Sequence, residues 1–139
     1  MADEKKTKTY LIRSDENGEV RIWPDVVITI AALAALDIPE VANIGGNITR
    51  EEITRHTSKH LEKYVRSELK KIDRGDPEFK DREDTIAIDI AMNLKYKTSI
   101  PKVIPMVQEK VKSAIENMTG ISVQSVNVKI LGVESEDNA

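Results

Sequence analysis

The segment from Val26 to Leu36 constrains the fold more than any other part of the sequence, because only Thr29 interrupts an otherwise apolar run. Pro24 stands where the first residue of a helix can stand, and Asp25 places an acidic residue in the first turn, so we predict a helix over 25–36. A helix that is apolar on all sides is buried on more than one side. Two interpretations stay open: a helix that lies wholly in the core, or a core helix with one face against another subunit.

Strands are predicted on both sides of this helix. Asn17-Gly18 lies between two β-prone runs, 10–13 and 19–23, and such a pair predicts a hairpin. Apolar and polar residues alternate over 86–96, as expected for a long half-buried strand. A last strand is predicted from its apolar face, which comprises Val126, Val128 and Ile130.

Two further helices are predicted from capping residues and spacing. Thr49 with Glu52 forms a capping-box pattern, so we predict a charged helix over 49–74. Its apolar positions follow helical spacing at Ile53, Leu61, Tyr64, Val65, Leu69 and Ile72. Ile100-Pro101 opens the third helix, and Gly120 ends it.

The element order is therefore β-β-α-α-β-α-β, which predicts the α+β class, with a small mixed sheet covered by helices. The sheet would combine the hairpin with two long strands. We predict one domain over 10–133, in which 46–84 is a charged helical insertion. The flanking segments 1–9 and 134–139 are predicted to be flexible tails.

Composition excludes several classes of site. The chain has no cysteine, so there is no disulfide, thiolate metal site or cysteine nucleophile. Its net charge of -3 gives no overall attraction to nucleic acid or to an anionic membrane. No stretch approaches the ~18 apolar residues of a membrane span, and the start lacks the apolar run of a signal peptide. We expect a cytoplasmic protein that reaches a membrane only through a partner.

Two histidines are the strongest candidates for metal chemistry. His56 and His60 share one face of the predicted second helix, and Glu52 precedes them by one turn. Arg55 and Lys59 flank the pair and oppose cation binding, and the intervening residues lack the glutamate of a metalloprotease motif. We therefore predict no metal site and no cofactor. No catalytic constellation is recognised, so we expect no enzymatic activity.

Basic residues recur every three or four positions on the same predicted helix. This stripe comprises Arg55, Lys59, Lys63, Arg66 and Lys70. One interpretation is a contact surface for an anionic partner, either nucleic acid or lipid headgroups. The other is a solvated face, because Glu51, Glu62 and Glu68 stand at i+3 or i+4 spacing and can pair with it. Aromatic residues are not interleaved, which does not favour single-stranded nucleic acid.

Short motifs in a fixed order give the chain a resemblance to a known family. Within 18–44 they are Gly18-Glu19-Val20-Arg21-Ile22, Asp25-Val26-Val27 and Ile30–Ala35. Within 86–133 they are Ile88-Asp89-Ile90, Tyr96, Ile100-Pro101, Val107-Gln108, Val111-Lys112, Ala114-Ile115, Thr119-Gly120 and Val126-Asn127-Val128. In this order and spacing they resemble the alkaline shock and general stress proteins of the bacterial cell envelope.

The resemblance implies a small α+β domain without known catalysis. It also implies a cytoplasmic protein that self-associates and is often held near the membrane by a separate anchor protein. The chain departs from the family pattern at Ile38-Pro39-Glu40-Val41, where a glycine-containing turn is usual. It departs again at 49–74, where the family is loop-like and rich in glycine. Partners that use this middle segment in the family are therefore not assumed for this chain.

The apolar first helix supplies the candidate residues for self-association. Its surface exceeds what one sheet face can cover, so part of it would favour a partner subunit. The candidates are Val26, Ile28, Leu33 and Leu36. A homodimer is the simplest closed assembly, and the resemblance also allows larger ones.

Overall fold

The computed structural model describes residues 9–55, 60–70 and 84–135. In chain order the strands are β1 (Tyr10–Asp15), β2 (Gly18–Ile22), β3 (Val41–Ile44), β4 (Val65–Lys70), β5 (Thr85–Lys95) and β6 (Ser122–Glu134). The helices are α1 (Pro24–Leu36), α2 (Arg50–Arg55) and α3 (Ile100–Thr119), with a short 3-10 turn at Leu61–Lys63. The α+β class predicted from the sequence is confirmed.

β5 is the central strand of the larger sheet. β4 pairs antiparallel with its first half, from Lys70 opposite Thr85 to Val65 opposite Ile90. β3 pairs antiparallel with its second half along the same edge. β6 runs parallel to β5 along the other edge, and α3 connects the two. A parallel pair requires such a crossover, because the chain must return to the starting end of the sheet.

The two faces of this sheet differ in chemistry because side chains alternate along a strand. The even-numbered residues of β5 are all buried: Ile86, Ile88, Ile90, Met92 and Leu94. The helices cover this face: α1 contacts β3, β4 and β5, and α3 packs against α1 and β6. The odd-numbered residues of β5 point to the opposite side, which we call the open face.

α1 lies at the centre of the core. Seven of its thirteen residues are buried, among them Val27, Ala31 and Ala35. α3 contributes an apolar stripe at a spacing of four residues, which comprises Val103, Val107, Val111 and Ile115. Burial of one such aliphatic side chain contributes about 1.5–3 kcal/mol. Contacts within a single chain thus bury most of the apolar residues of α1.

The predicted hairpin is formed by β1 and β2. It makes a separate two-stranded sheet, so the prediction that it shares one sheet with the two long strands is wrong. Its loop residues are Glu16 and Asn17, and Gly18 follows with a φ of 123°. The hairpin packs its Ile12 and Ile22 on the core. A hydrogen bond of 2.8 Å between Tyr10 Oη and Ser67 Oγ joins the hairpin to β4.

The helix predicted over 49–74 is wrong for most of the described part of that range. α2 ends at Arg55, and 65–70 forms β4. Leu61, Val65 and Leu69 are each four residues apart. Residues at this spacing share one face of a helix, and they also share one face of a strand, so the spacing fits both elements. Burial alternates along β4 with a period of two, and pairing with β5 decides in favour of the strand.

The predicted element order also lacked β3, a four-residue strand that precedes Gly45-Gly46. Because β4 is paired into the sheet, at least this part of 46–84 belongs to the main fold rather than to a helical insertion. The last residues of the predicted helix, 71–74, and most of the predicted tails 1–9 and 134–139 lie outside the described residues. Glu134, the first residue of the second predicted tail, belongs to β6 instead. Within the described residues, no helix combines the length and the apolar character needed to cross a membrane.

Candidate functional site

Strand pairing places polar side chains from three strands in one row on the open face. Arg66 of β4 lies opposite Asp89 of β5, and Asp89 lies opposite Asn127 of β6. Asn127 Nδ2 donates a hydrogen bond of 2.9 Å to Asp89 Oδ1. The row therefore has a cation on one side, a carboxylate at its centre and, on the other side, an amide that donates to the carboxylate.

The next row is centred on Ala91, and it creates a depression. The Ala91 N–H donates to Tyr64 O at 2.8 Å on one side, and Lys129 of β6 lies opposite Ala91 on the other. Alanine has no side chain beyond Cβ, so the centre of this row is lower than its flanks. The resulting basic depression has a volume of about 360 Å³ and is lined by Lys63, Tyr64, Arg66, Asp89, Ile90, Ala91, Asn127, Val128 and Lys129.

Three cations surround the basic depression without an anionic partner. Lys63, Arg66 and Lys129 are exposed, and none of them forms an ion pair in the described part of the chain. Other exposed cations do have partners, including Arg13 with Asp15 and Lys70 with Glu68. Among the described residues, Asp89 is the only acidic residue that lines the depression, so this part of the chain gives the site an excess of positive charge although the net charge of the chain is -3.

A buried amide pair lies near the depression and holds the turn that contacts Tyr64, one of its lining residues. Asn93 Nδ2 donates to Asn43 Oδ1 at 2.6 Å and to Gly45 O at 2.7 Å, and both asparagines are buried. These bonds hold the Gly45-Gly46 turn against β5, where the turn contacts the Tyr64 ring. Sequence reasoning missed this pair, although Asn93 was placed on the polar side of its strand by the alternation over 86–96.

The predicted basic stripe is not one helical face. Lys63 lies in the 3-10 turn, and Arg66 and Lys70 lie on β4. Lys59 and the side chain of Arg55 lie outside the described residues. Lys63 and Arg66 reach the basic depression, whereas Lys70 lies at the far end of β4 and pairs with Glu68 at 2.9 Å. Lys129 was missed, although the alternation of Val126, Val128 and Ile130 placed it on the polar face.

The histidine pair can be located only in part, because His56 lies outside the described residues. His60 is exposed, and its ring stands edge-on to Tyr64 with 6.3 Å between the ring centroids. Within the described ranges, no group of three or more His, Cys, Asp or Glu side chains could hold a metal ion.

The four residues predicted for self-association differ in accessibility. Val26 is 42% exposed, and Leu33 and Leu36 are half-buried. Ile28 is only 5% exposed, because its side of α1 faces the core, so the chain itself already covers this residue and its prediction as a contact residue does not fit the fold. The surface role of the other three stays a prediction.

Exposed apolar side chains also occur at the end of β6, and they were not predicted as contact residues from the sequence. Leu131 is 48% exposed and Val133 is 58% exposed. The Tyr96 N–H donates to Glu134 O at 2.7 Å. This bond places Tyr96, which is also exposed, beside the same end of β6.

The chain is similar to two curated bacterial proteins over most of its length. It is 32% identical over 122 residues to YqhY of Bacillus subtilis (strain 168), which covers 88% of this chain and 82% of that protein. It is 24% identical over 119 residues to Spy1535 of Streptococcus pyogenes serotype M6, which covers 86% of this chain and 81% of that protein.

Among solved structures, variants of the MamM CTD are similar to the chain, with a TM-score of 0.40 and 13% sequence identity, covering 78% of this chain and 94% of that one. A family model matches residues 13–135, and its description is Asp-23 family, cell envelope-related function. This match includes every element from β2 to β6 and agrees with the resemblance found in the short motifs. The chain therefore belongs to the Asp-23 family of cell envelope-related proteins.

Proposed function

We propose that this protein is a non-enzymatic, envelope-related scaffold that works by self-association and by binding protein partners near the membrane. Membership of a cell envelope-related family supports the setting. A membrane-anchor protein is the partner class that the family resemblance suggests. The structural observation that carries the proposal is the free edge of β6.

β6 has thirteen residues and pairs with β5 along one edge only. Along its other edge, the described residues form no strand pair. Side chains of α3 occupy main-chain groups in the first half of this edge, where the Val123 N–H donates to Glu116 Oε2 at 2.9 Å and Val126 O accepts from Gln108 Nε2 at 3.0 Å. The free part of the edge is therefore the second half, which includes Leu131 and Val133. A free edge presents unpaired N–H and C=O groups to any further strand, and proteins usually protect such edges with charged residues or proline. β6 contains no proline and only two charged residues, Lys129 and the terminal Glu134.

A second copy of the same chain is the partner that this edge fits best. In a twofold symmetric contact, both subunits use the same strand, so the apolar residues of β6 in one subunit pack against the same residues in the other. Leu131 and Val133 are exposed in a single subunit. Antiparallel pairing of two β6 strands near these residues would cover Leu131 and Val133 of both subunits. Strand addition supplies affinity through main-chain hydrogen bonds and specificity through alternate side chains.

Sedimentation velocity over a range of concentrations tests the proposal. We expect concentration-dependent assembly of the wild-type chain and a loss of assembly in Val133→Glu, because the charge would be buried in the subunit contact. Met118→Glu is the matched control: Met118 is 70% exposed and lies near the C-terminal end of α3. A wild-type chain that stays monomeric at all concentrations would refute self-association, and equal weakening by both variants would refute the β6 contact.

A further inference from the structure

We propose that the basic depression on the open face binds a phosphate group, held by Lys63, Arg66 and Lys129 above Ala91 and Asn127. This inference does not depend on the proposed scaffold function, because it concerns the open face of the sheet and not assembly along the edge of β6. It replaces the stripe expected on one helix with a site built by three separate segments: the 3-10 turn, β4 and β6.

The strand register supports convergence of the cationic groups. Arg66 and Lys129 lie on the two strands that flank β5, on adjacent rows of the same face. Neighbouring strands are about 4.8 Å apart, so the two backbones are separated by roughly 10 Å across β5. Both side chains are long enough to lean over the central strand, where Ala91 presents only a methyl group and Asp89 and Asn127 lie in the neighbouring row. All three cations line the same depression.

The charge balance of the site favours an anion. Lys63, Arg66 and Lys129 have no ion-pair partner among the described side chains, and Asp89 accepts from Asn127. An anion above Ala91 would satisfy the three cations and could accept the second N–H of Asn127 Nδ2. The planar guanidinium of Arg66 offers paired donors that match the oxygens of a phosphate group, and the two lysines add point charges.

The dimensions of the site favour a single phosphate group over a long polyanion. A volume of about 360 Å³ accommodates a phosphate and the first atoms of the molecule that carries it. Glu68 lies on the same face of β4, two residues from Arg66, and Asp89 borders the site. These carboxylates interrupt the positive surface, so the face does not offer the continuous basic groove that tracks a nucleic-acid backbone.

Titration with inorganic phosphate, followed by amide chemical shifts in two-dimensional NMR, tests the site in the full chain. We expect saturable shifts at Ala91, Asn127 and Lys129 that weaken with added salt. Arg66→Gln and Lys129→Gln should each weaken binding about threefold, and the double variant about tenfold, as for partly exposed charge contacts. Lys112→Gln is the matched control, since Lys112 is exposed on α3, which packs on the other side of the sheet.

Vesicles distinguish the two sources of the phosphate group. Phosphatidylglycerol vesicles that sediment the wild-type chain, but not the double variant, would identify a lipid headgroup as the ligand. Saturable binding of inorganic phosphate without vesicle binding would identify a soluble phosphate compound. Either result supports the site. The inference is overturned if neither phosphate nor vesicles bind, or if Lys112→Gln weakens binding as much as Arg66→Gln does.

Discussion

Gly45 lies directly beneath the ring of Tyr64, so that a Cβ at this position would overlap the ring, and the backbone φ of Gly45 is 41°. This contact connects the turn after β3 to the residue that borders the basic depression. Only glycine fits here, because any side chain would overlap the ring and would also strain a left-handed backbone.

Gly45→Ala should therefore lower the free energy of unfolding by about 2–4 kcal/mol, the sum of an overpacking cost and a backbone cost. Urea unfolding measures the change. Gly120→Ala is the control, because Gly120 also has a positive φ of 78°, but a Cβ there would meet no described residue within 4 Å other than its own chain neighbours. We expect a loss of about 1 kcal/mol there. Equal losses at both glycines would contradict the close contact with Tyr64.

The amide pair beneath the open face should contribute strongly to stability. Asn93→Ala would leave Asn43 Oδ1 and Gly45 O without their donor, and each buried unsatisfied group costs about 1–3 kcal/mol. Thermal and urea unfolding should show this loss. In the double variant Asn43→Ala/Asn93→Ala, the second substitution should add little, because the amide partner is already absent. Additive losses would show that the two asparagines act independently.

The position of α1 gives opposite expectations for two nearby apolar residues. Ile28→Glu should unfold the chain, because it buries a charge in the core, whereas Val26→Glu should leave the fold intact. Circular dichroism distinguishes the two outcomes. If Val26→Glu keeps its fold but abolishes assembly, then α1 rather than β6 provides the subunit contact. A folded Ile28→Glu variant would contradict the placement of this helix.

Much of the fold follows from sequence patterns that are local and unambiguous. The run Val26–Leu36, the alternation over 86–96 and the capping residues of α3 each indicate one type of element, and each predicted the correct one. β4 was misread because a spacing of four residues suits two periodicities, and only its partner strand resolves the ambiguity. β3 was missed because four residues contain too little periodicity.

The candidate site was harder to predict than the fold, because it depends on strand register. Lys63 and Arg66 are near in sequence, but Lys129 joins them only because β6 lies beside β5 in a particular alignment. The buried Asn43–Asn93 contact spans fifty residues and has no local signature. Lys129 could have been assigned to the polar face from alternation alone, but not to the neighbourhood of Arg66.

Hydrogen exchange of the β6 amides, measured at several protein concentrations, tests the scaffold proposal most directly. If two copies pair along β6, the amides around Leu131 and Val133 should exchange more slowly as concentration rises, and Val133→Glu should remove this dependence. The amides of α3 should show no such change. Exchange in β6 that is independent of concentration, in a wild-type chain shown to assemble under the same conditions, would contradict pairing along this strand.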